Sequence, residues 1–252
     1  MKNNFERFSH TSSNYQLYRP SYPQALITLL KEKLQLSPQA VIADIGSGTG
    51  LLTKLFLANG NRVYGVEPNK KMREAGEIFL KNFPNFISVE GSAEQTTLPA
   101  DSVDYVTAGT AFHWFDQKQC HQEFLRILRL PGFGIFVWNV RDLHTKVNQD
   151  YENLILKYGR YAQETSARQF EKTIMDDFFS PFTMQTYSFP QHQFFNWEGF
   201  KGRLLSTSYA LQKGEPRYEE MIDDLQKIFN VHAHLKKIKF SYLTKIYFGQ
   251  LK

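Results

Sequence analysis

Cysteine is nearly absent from this sequence of 252 residues, in which Cys120 is the single example. One cysteine excludes a disulfide within the chain, and no group of cysteine and histidine residues has the spacing of a metal site. We therefore predict that no metal is bound. We interpret Cys120 as a small core or surface residue of a helix, because a catalytic thiol needs an activating partner beside it.

Long apolar runs are also missing from the chain. No stretch approaches the roughly 20 apolar residues that a membrane-spanning helix needs. The first residues, Met1 to Arg7, do not form an apolar signal region. We therefore expect no membrane span, and we expect the protein to reside in the cytoplasm.

Positive charge exceeds negative charge only modestly, with a formal net charge of +5. A visible lysine cluster alternates with apolar residues near the end of the chain and consists of Lys236, Lys237, Lys239 and Lys245. We interpret this cluster as the solvent-facing side of a late strand. Nucleic acid is an improbable partner, because no nucleic-acid-binding module accompanies these lysines.

Glycine is concentrated in one segment, residues 41–50, which read VIADIGSGTG. A buried-strand pattern runs through Asp44 and leads into three alternating glycines: Gly46, Gly48 and Gly50. Such a loop predicts a sharp turn that a ligand approaches closely, because a Cβ atom there would collide with it. The dinucleotide pattern would need its third glycine at Leu51, and no phosphate-loop pattern occurs. The remaining candidate for the ligand is a cofactor that contains a nucleoside but no pyrophosphate.

A second strand pattern, residues 62–66, ends at Glu67 and is followed by a helical run from Lys70. Glu67 follows Gly46 by 21 residues, which is close to where doubly wound folds place an acid that binds ribose hydroxyls. An ionised carboxylate only accepts hydrogen bonds, so it can accept from both hydroxyls at once. The alternative is an ordinary acidic residue near a helix N-terminus.

Further units of strand and helix follow along the chain. Residues 86–89 and 103–109 have strand patterns, residues 116–130 have helical spacing, and residues 133–138 form another apolar strand pattern. Four such units in succession predict an α/β protein with a mainly parallel sheet that is covered on both faces.

The motif Asp-x-Gly-x-Gly-x-Gly of residues 44–50 resembles the first motif of class I S-adenosylmethionine-dependent methyltransferases, and the position of Glu67 downstream supports that resemblance. Tyr-Arg-Pro-x-Tyr-Pro at residues 18–23 resembles the methyltransferase type 11 or trans-aconitate-methyltransferase-like subgroup. The resemblance implies a Rossmann-like, doubly wound, mostly parallel seven-stranded sheet with an antiparallel late strand, helices on both faces, an N-terminal arm and a helical cap. It also implies S-adenosylmethionine as cofactor and S-adenosylhomocysteine as product.

The same resemblance implies a set of cofactor-binding residues. They are Tyr18, Arg19, Asp44, Gly46, Ser47, Gly48, Gly50, Glu67, Pro68, Met72, Ser92, Ala93 and Gly109. The sequence departs from the family at Ser92, where an Asp often contacts the adenine amino group. Tyr18 and Arg19 have two alternative roles, because they could also bind an acidic substrate or simply anchor a terminal arm.

Residues 110–115, TAFHWF, follow the fourth strand at the sheet edge where ligands of open α/β folds bind. His113 is the candidate catalytic base for an alcohol or amine acceptor, because its ordinary pKa lies near neutrality, whereas a carboxylate acceptor needs no base. The alternative is that the aromatic run simply packs beside the cofactor.

The predicted substrate-binding residues are Tyr15, Trp114, Arg203, Ser206 and Tyr209. The last three lie in a segment that we predict to be a helix over 197–209, where they would roughly share one face. A solvated polar stripe on this helix is the alternative.

We predict a single domain with four parts: an arm and helix at 1–36, the cofactor core at 37–140, a helical cap insertion at 141–180, and completing strands and helices at 181–252. The expected reaction is methyl transfer to a small molecule, with an oxygen or carboxylate acceptor favoured. Methylation of nucleic acid or protein, or cofactor binding without turnover, are the alternatives. The sequence leaves the oligomeric state open.

Overall fold

The computed structural model describes residues 17–159, 172–207 and 209–252. Within these ranges, seven strands form one sheet: β1 (Val41–Ile45), β2 (Arg62–Val66), β3 (Phe86–Val89), β4 (Val103–Gly109), β5 (Leu128–Arg141), β6 (Gln185–Phe195) and β7 (Ile238–Gln250). Their order across the sheet is β3-β2-β1-β4-β5-β7-β6. Strands β1 to β5 are parallel, and β7 is antiparallel to both of its neighbours. The predicted seven-stranded, mostly parallel sheet is confirmed.

Helices connect and cover these strands. They are α1 (Ala25–Leu34), α2 (Leu51–Ala58), α3 (Lys70–Leu80), a short 3-10 helix (Phe112–Trp114), α4 (Gln117–Ile127), α5 (Lys146–Tyr158), α6 (Lys172–Phe179), α7 (Trp197–Leu205) and α8 (Tyr218–His232). Across the described ranges, no helix combines the length and the apolar character that crossing a membrane requires.

Two apolar clusters cover the opposite faces of the sheet. Successive side chains of a strand point to opposite faces, so Ile42 and Ala43 of β1 belong to different clusters. Helices α1 and α2 pack on the face of Ile42, and α4 and α6 pack on the face of Ala43. Cys120 is buried in the cluster on the face of Ala43, where burial raises the pKa of its thiol, so of the two predicted alternatives it is the core residue.

A third apolar cluster, which we call the cap, lies at the carboxyl edge of the parallel strands. It joins α5, α7 and α8 to the first residues of β7 and to Phe195 at the end of β6. Strand β7 runs antiparallel to β5, so its beginning lies beside the end of β5, and Tyr242 pairs with Arg141. The reversed strand therefore brings the last part of the chain to the edge where ligands bind in this type of fold.

The two described helices of residues 141–180 lie in different clusters. Helix α5 belongs to the cap, whereas Phe178 and Phe179 of α6 pack with Phe136 on the sheet face. The division of the chain into four parts stays a prediction.

Three predicted boundaries are wrong, each for a local reason. The helix over 116–130 already ends at Ile127, because Leu128 pairs with Val103 in the sheet. The pattern of residues 182–189 predicts a strand that ends before Pro190, whereas β6 continues to Phe195, because it is an edge strand, where proline is tolerated. The helix over 197–209 ends at Leu205. Ser206 and Tyr209 therefore do not share a helix face with Arg203, and that expectation was wrong.

Candidate active site

The glycine loop connects β1 to α2 in a tight turn. The amides of Gly46 and Ser47 donate to the carbonyl of Val66 over 2.8 and 3.1 Å, which fixes the loop against the end of β2. All three alternating glycines have positive φ angles, +64°, +57° and +85°. A Cβ atom on Gly50 would lie 2.6 Å from Leu80 Cδ1, so this position excludes any side chain.

Glu67 lies directly after β2 and connects this strand end to the glycine loop. Its side chain is 8% exposed, and its two carboxylate oxygens accept hydrogen bonds from the amides of Gly48 (2.9 Å) and Asn69 (2.8 Å). Burial raises the pKa of Glu67, while these two hydrogen bonds act in the opposite direction. The N-cap of α3 is Asn69, whose side chain accepts from the Met72 amide. Glu67 is therefore not the capping side chain of this helix.

Asp44 is the second buried carboxylate of this region, with 1% of its surface exposed. Its Oδ2 atom accepts a hydrogen bond from the hydroxyl of Thr53, whereas Oδ1 is buried without a hydrogen-bond partner among the described residues. Burial raises the pKa of Asp44 to about 7, the Thr53 hydrogen bond opposes that shift, and the charge of Glu67 adds to it. An oxygen left in this state is suited to a cationic or hydrogen-bond-donating group of a ligand.

These features fit S-adenosylmethionine. Gly46 and Gly50 leave no room for a side chain. Glu67 is an acceptor-only group for two hydroxyls, and Asp44 Oδ1 is suited to an ammonium group. Met72 lies beside this loop, because a Cβ atom on Gly48 would lie 3.4 Å from Met72 Cε. Pro68 follows Glu67 directly and is half-buried.

Ser92 and Ala93 lie after β3, in the turn predicted to contact adenine. The hydroxyl oxygen of Ser92 accepts from the Gln95 amide at 3.2 Å, and the Ser92 amide donates to the Gln95 carbonyl at 3.0 Å. The Ala93 side chain belongs to the apolar cluster on the face of α4. The Ser92 side chain thus already stabilises its own turn, and its contact with adenine stays a prediction.

The end of β4 carries the candidate base and its aromatic neighbours. His113 and Trp114 belong to the short 3-10 helix, are half-buried, and have ring centroids 4.9 Å apart. Phe112 is completely buried, with its ring 4.6 Å from that of Phe136. Of the aromatic residues at 110–115, Phe112 thus has the packing role that was given as the alternative to catalysis. A Cβ atom on Gly109 would lie 2.6 Å from the hydroxyl of Tyr22, so the chain after Arg19 closes over this strand end.

The segment 18–22 contacts the cap. Arg19 Nη2 donates to the carbonyl of Ser206 at 3.2 Å, and a Cβ atom on Gly202 would collide with the Tyr18 ring. The structure thus brings Tyr18 and Arg19 together with the predicted substrate residues around α7. Tyr15 lies outside the described residues.

The predicted substrate residues differ in their surroundings. The hydroxyl of Ser206 donates to the Arg203 carbonyl at 2.8 Å, at the C-terminal end of α7. Tyr209 accepts a hydrogen bond from Arg141 Nη1 at 3.1 Å. Arg203 is 3% exposed, and its Nε atom donates to the hydroxyl of Tyr242 at 2.9 Å.

Arg141 was missed in the sequence, together with its partner Glu152. Arg141 Nε donates to Glu152 Oε2 at 2.8 Å, which fixes the guanidinium group beside Tyr209. The signal was available, because Arg141 lies just beyond the apolar run of residues 133–138, at the carboxyl end of a strand.

Comparison with known proteins agrees with this geometry. Residues 43–136 match the protein family described as methyltransferase domain, which covers the chain from β1 into β5. An uncharacterized methyltransferase from Schizosaccharomyces pombe is 30% identical over 136 residues, which are 54% of this chain and 53% of that protein. One from Mycobacterium bovis is 34% identical over 135 residues, 54% of this chain and 53% of that protein. The match therefore spans about half the length of these curated relatives.

Solved structures resemble the fold over most of the chain. A structure titled as a type II methyltransferase candidate from Anaeromyxobacter dehalogenans has a TM-score of 0.67 and 22% identity, over 93% of this chain and 98% of that one. An S-adenosylmethionine-dependent methyltransferase from Aquifex aeolicus has a TM-score of 0.52 and 15% identity, over 69% of this chain and 89% of that one. At these identities the likeness establishes the fold.

Proposed function

We propose that this chain, which carries a class I S-adenosylmethionine-dependent methyltransferase domain, transfers the methyl group of that cofactor to a small-molecule acceptor. An oxygen or carboxylate acceptor is favoured. The observation that carries the assignment is the presence of two buried carboxylates, Asp44 and Glu67, at the ends of adjacent strands beside the glycine loop. The whole chain's activity and acceptor class are part of this proposal.

Three groups of this chain would bind the cofactor: Glu67, Asp44 and the backbone of the glycine loop. Glu67 accepts the ribose hydroxyls through oxygens that two backbone amides already hold in place. Asp44 provides its unpartnered oxygen to the ammonium group. The backbone of residues 46–50 can lie directly against the ligand, because its three glycines have no Cβ atom that would keep the ligand away. When bound, S-adenosylmethionine supplies a methyl group whose bond to sulfur breaks, with the electron pair remaining on sulfur, as the acceptor bonds to the carbon.

The acceptor half of the site has to align the nucleophile and exclude water. Trp114 offers an aromatic face of the kind that stabilises a cation. A carboxylate acceptor loses no proton in the transfer, so it needs positioning alone. For a hydroxyl acceptor, His113 at the end of β4 is the residue with the right chemistry to accept the proton.

Calorimetric titration of S-adenosylhomocysteine into the full chain and into Glu67→Ala tests the cofactor role. Hydrogen bonds to a charged group contribute roughly 1.5 to 3 kcal/mol, so we expect the variant to lose about ten- to a hundredfold in affinity. Glu74→Ala is the matched control, because Glu74 is an exposed carboxylate of the neighbouring helix α3.

The titration has distinct outcomes. Equal affinities of wild type and Glu67→Ala would refute the role of Glu67. A chain that binds neither S-adenosylmethionine nor its product at millimolar concentration would refute the proposed function, and a preference for NAD would favour a dehydrogenase. Bound cofactor without methylation in a screen of small acids and alcohols with labelled methyl donor would point to a binding protein without turnover.

A further inference from the structure

A tight turn at residues 234–237, just before β7, places a leucine and a lysine at its tip. The amide of Lys237 donates to the carbonyl of His234 at 2.9 Å, and the amide of His234 donates to the carbonyl of Lys237 at 2.8 Å. Between them, Leu235 and Lys236 both have positive φ angles, +48° and +60°. Two positive φ angles define a type I′ turn, in which asparagine and glycine are the preferred residues. The backbone therefore does not explain why leucine and lysine occupy these positions.

The side chain of Leu235 is 84% exposed, which is the highest value among the large apolar residues that the structure describes. Three lysines lie in or beside the same turn. Lys236 and Lys237 belong to the turn itself and Lys239 lies on β7, so the predicted lysine cluster is only partly a strand face. All three lysines are exposed, and within the described ranges none of their side chains pairs with a carboxylate. Positive charge is thus concentrated at the beginning of β7.

Further apolar side chains lie next to these lysines. Phe194 of β6 pairs with Lys239 of β7 and is 59% exposed. Directly opposite residues of an antiparallel pair point to the same face of the sheet, so these two side chains are neighbours. A groove of about 470 Å³ is lined by Phe194, by Lys237 and by Leu17, which is 70% exposed. We call Leu17, Phe194, Leu235 and the three lysines the turn surface.

The combination of charged and apolar side chains indicates the kind of partner. Single apolar residues on a surface are ordinary, whereas three that share one surface with three lysines mark an interaction site. Nucleic acid would pair with the lysines but would leave Leu235 in water. An anionic lipid surface uses both, because lysines attract the head groups while apolar side chains enter the boundary with the acyl chains.

We propose that the turn surface binds reversibly to the surface of a membrane that contains anionic lipids. The inference goes beyond the proposed function and does not depend on the cofactor. It requires no membrane-spanning segment, because a few apolar side chains together with lysines are sufficient for binding at the interface.

The turn surface belongs to the cap. Ile238 follows the turn directly, Phe195 follows Phe194, and both are buried in the apolar cluster of the cap. Tyr18 lines the groove together with Leu17, and a Cβ atom on Gly202 of α7 would collide with the Tyr18 ring. A membrane bound at the turn surface therefore faces the cap and not the opposite edge of the sheet.

Sedimentation of the full chain with phospholipid vesicles tests the proposal. We expect binding to phosphatidylcholine vesicles that contain about 30% phosphatidylglycerol, and binding to phosphatidylcholine alone that is at least about tenfold weaker, because each lysine near an anionic surface raises the affinity about fivefold. An increase in salt from about 50 to 500 mM should weaken binding, since ions screen the charges. Equal binding to both kinds of vesicle, or binding to neither, would overturn the proposal.

Leu235→Asn combined with Lys236→Gly removes an apolar and a charged side chain and introduces the residue pair that a type I′ turn prefers. We expect this variant to be at least as stable as wild type in urea denaturation and to bind the anionic vesicles at least about tenfold more weakly. Leu130→Asn combined with Lys81→Gln is the matched control, because both residues are exposed and lie at the opposite edge of the sheet. Equal vesicle binding by wild type and the turn variant would contradict the proposal.

A second variant, Lys237→Gln combined with Lys239→Gln, tests the charges without changing the two residues of positive φ. We expect a loss of vesicle affinity of at least about tenfold and a weaker dependence on salt. Unchanged affinity in this variant would refute the electrostatic part and with it the choice of an anionic lipid. A short DNA duplex is the competitor, and tighter binding to this duplex than to the anionic vesicles would overturn the lipid assignment in favour of nucleic acid.

Discussion

Replacement of Asp44 by asparagine tests whether the glycine loop holds an unfavourable buried charge. Burial raises the pKa of Asp44 from an ordinary value of 3.8 to about 7. Between these values the folded chain retains a proton that the unfolded chain has released, so the free energy of unfolding falls as the pH rises through that window. The stabilising contribution is thus present at low pH and absent above pH 7.

The loss of unfolding free energy depends on how far apart the pKa values of Asp44 are in the unfolded and the folded chain. Each unit of pKa difference corresponds to about 1.4 kcal/mol, so wild type should lose about 3 kcal/mol of this contribution between pH 5 and pH 8.5. The asparagine side chain of the variant does not ionise. Its amide oxygen can still accept from Thr53, but its NH2 group lacks an acceptor, which costs about 1 to 2 kcal/mol at both pH values.

Which of the two proteins is more stable, wild type or Asp44→Asn, should therefore change between pH 5 and pH 8.5. We expect Asp44→Asn to be less stable than wild type at pH 5 by about 1 to 2 kcal/mol and more stable at pH 8.5 by about the same amount. Urea denaturation of the chain without cofactor, followed by circular dichroism, measures this difference. Asp223→Asn on α8 is the control for removal of an exposed carboxylate. An equal loss of stability by Asp44→Asn at both pH values would refute the reasoning.

Two further replacements probe the loop and the candidate base. Gly50→Ala should lose about 2 kcal/mol or more of unfolding free energy, because its φ is +85° and the new Cβ would lie 2.6 Å from Leu80. Gly214→Ala, with φ +93° and no atom within 4 Å, should lose less, and equal losses would contradict the collision. His113→Asn should leave kcat within about threefold on a carboxylate acceptor, which loses no proton, and a larger loss there would contradict that expectation. On a hydroxyl acceptor, a loss of about a hundredfold would identify His113 as the base.

The cofactor half of the site is readable in the sequence because it is local. Asp44, the three glycines and Glu67 lie at the ends of adjacent strands, and each position is fixed by a short pattern of apolar and small residues. Their spacing predicts the β1–β2 unit and the turn between strand and helix, and the structure has both. Even here, the hydrogen bond from the Gly48 amide to Glu67 was not foreseen, since it depends on the loop conformation.

The proposed acceptor half is not readable in the same way, because its residues come from distant parts of the chain. Arg141 and Arg203 are connected through Tyr209 and Tyr242 only because β7 pairs antiparallel with β5. Helical periodicity predicted a continued helix to Tyr209, whereas the hydroxyl of Ser206 bonds to the Arg203 carbonyl at the helix end. Such terminations depend on single hydrogen bonds, which periodicity does not encode.

The hydrogen bonds of Glu67 have a consequence for the thermodynamics of ligand recognition. Because the amides of Gly48 and Asn69 hold both carboxylate oxygens, the side chain has lost its rotational freedom when the chain folds. That entropy is therefore not lost a second time when a ligand arrives, and more of the enthalpy of each new contact remains as affinity. The folded loop thus acts as a rigid template whose shape exists before its ligand.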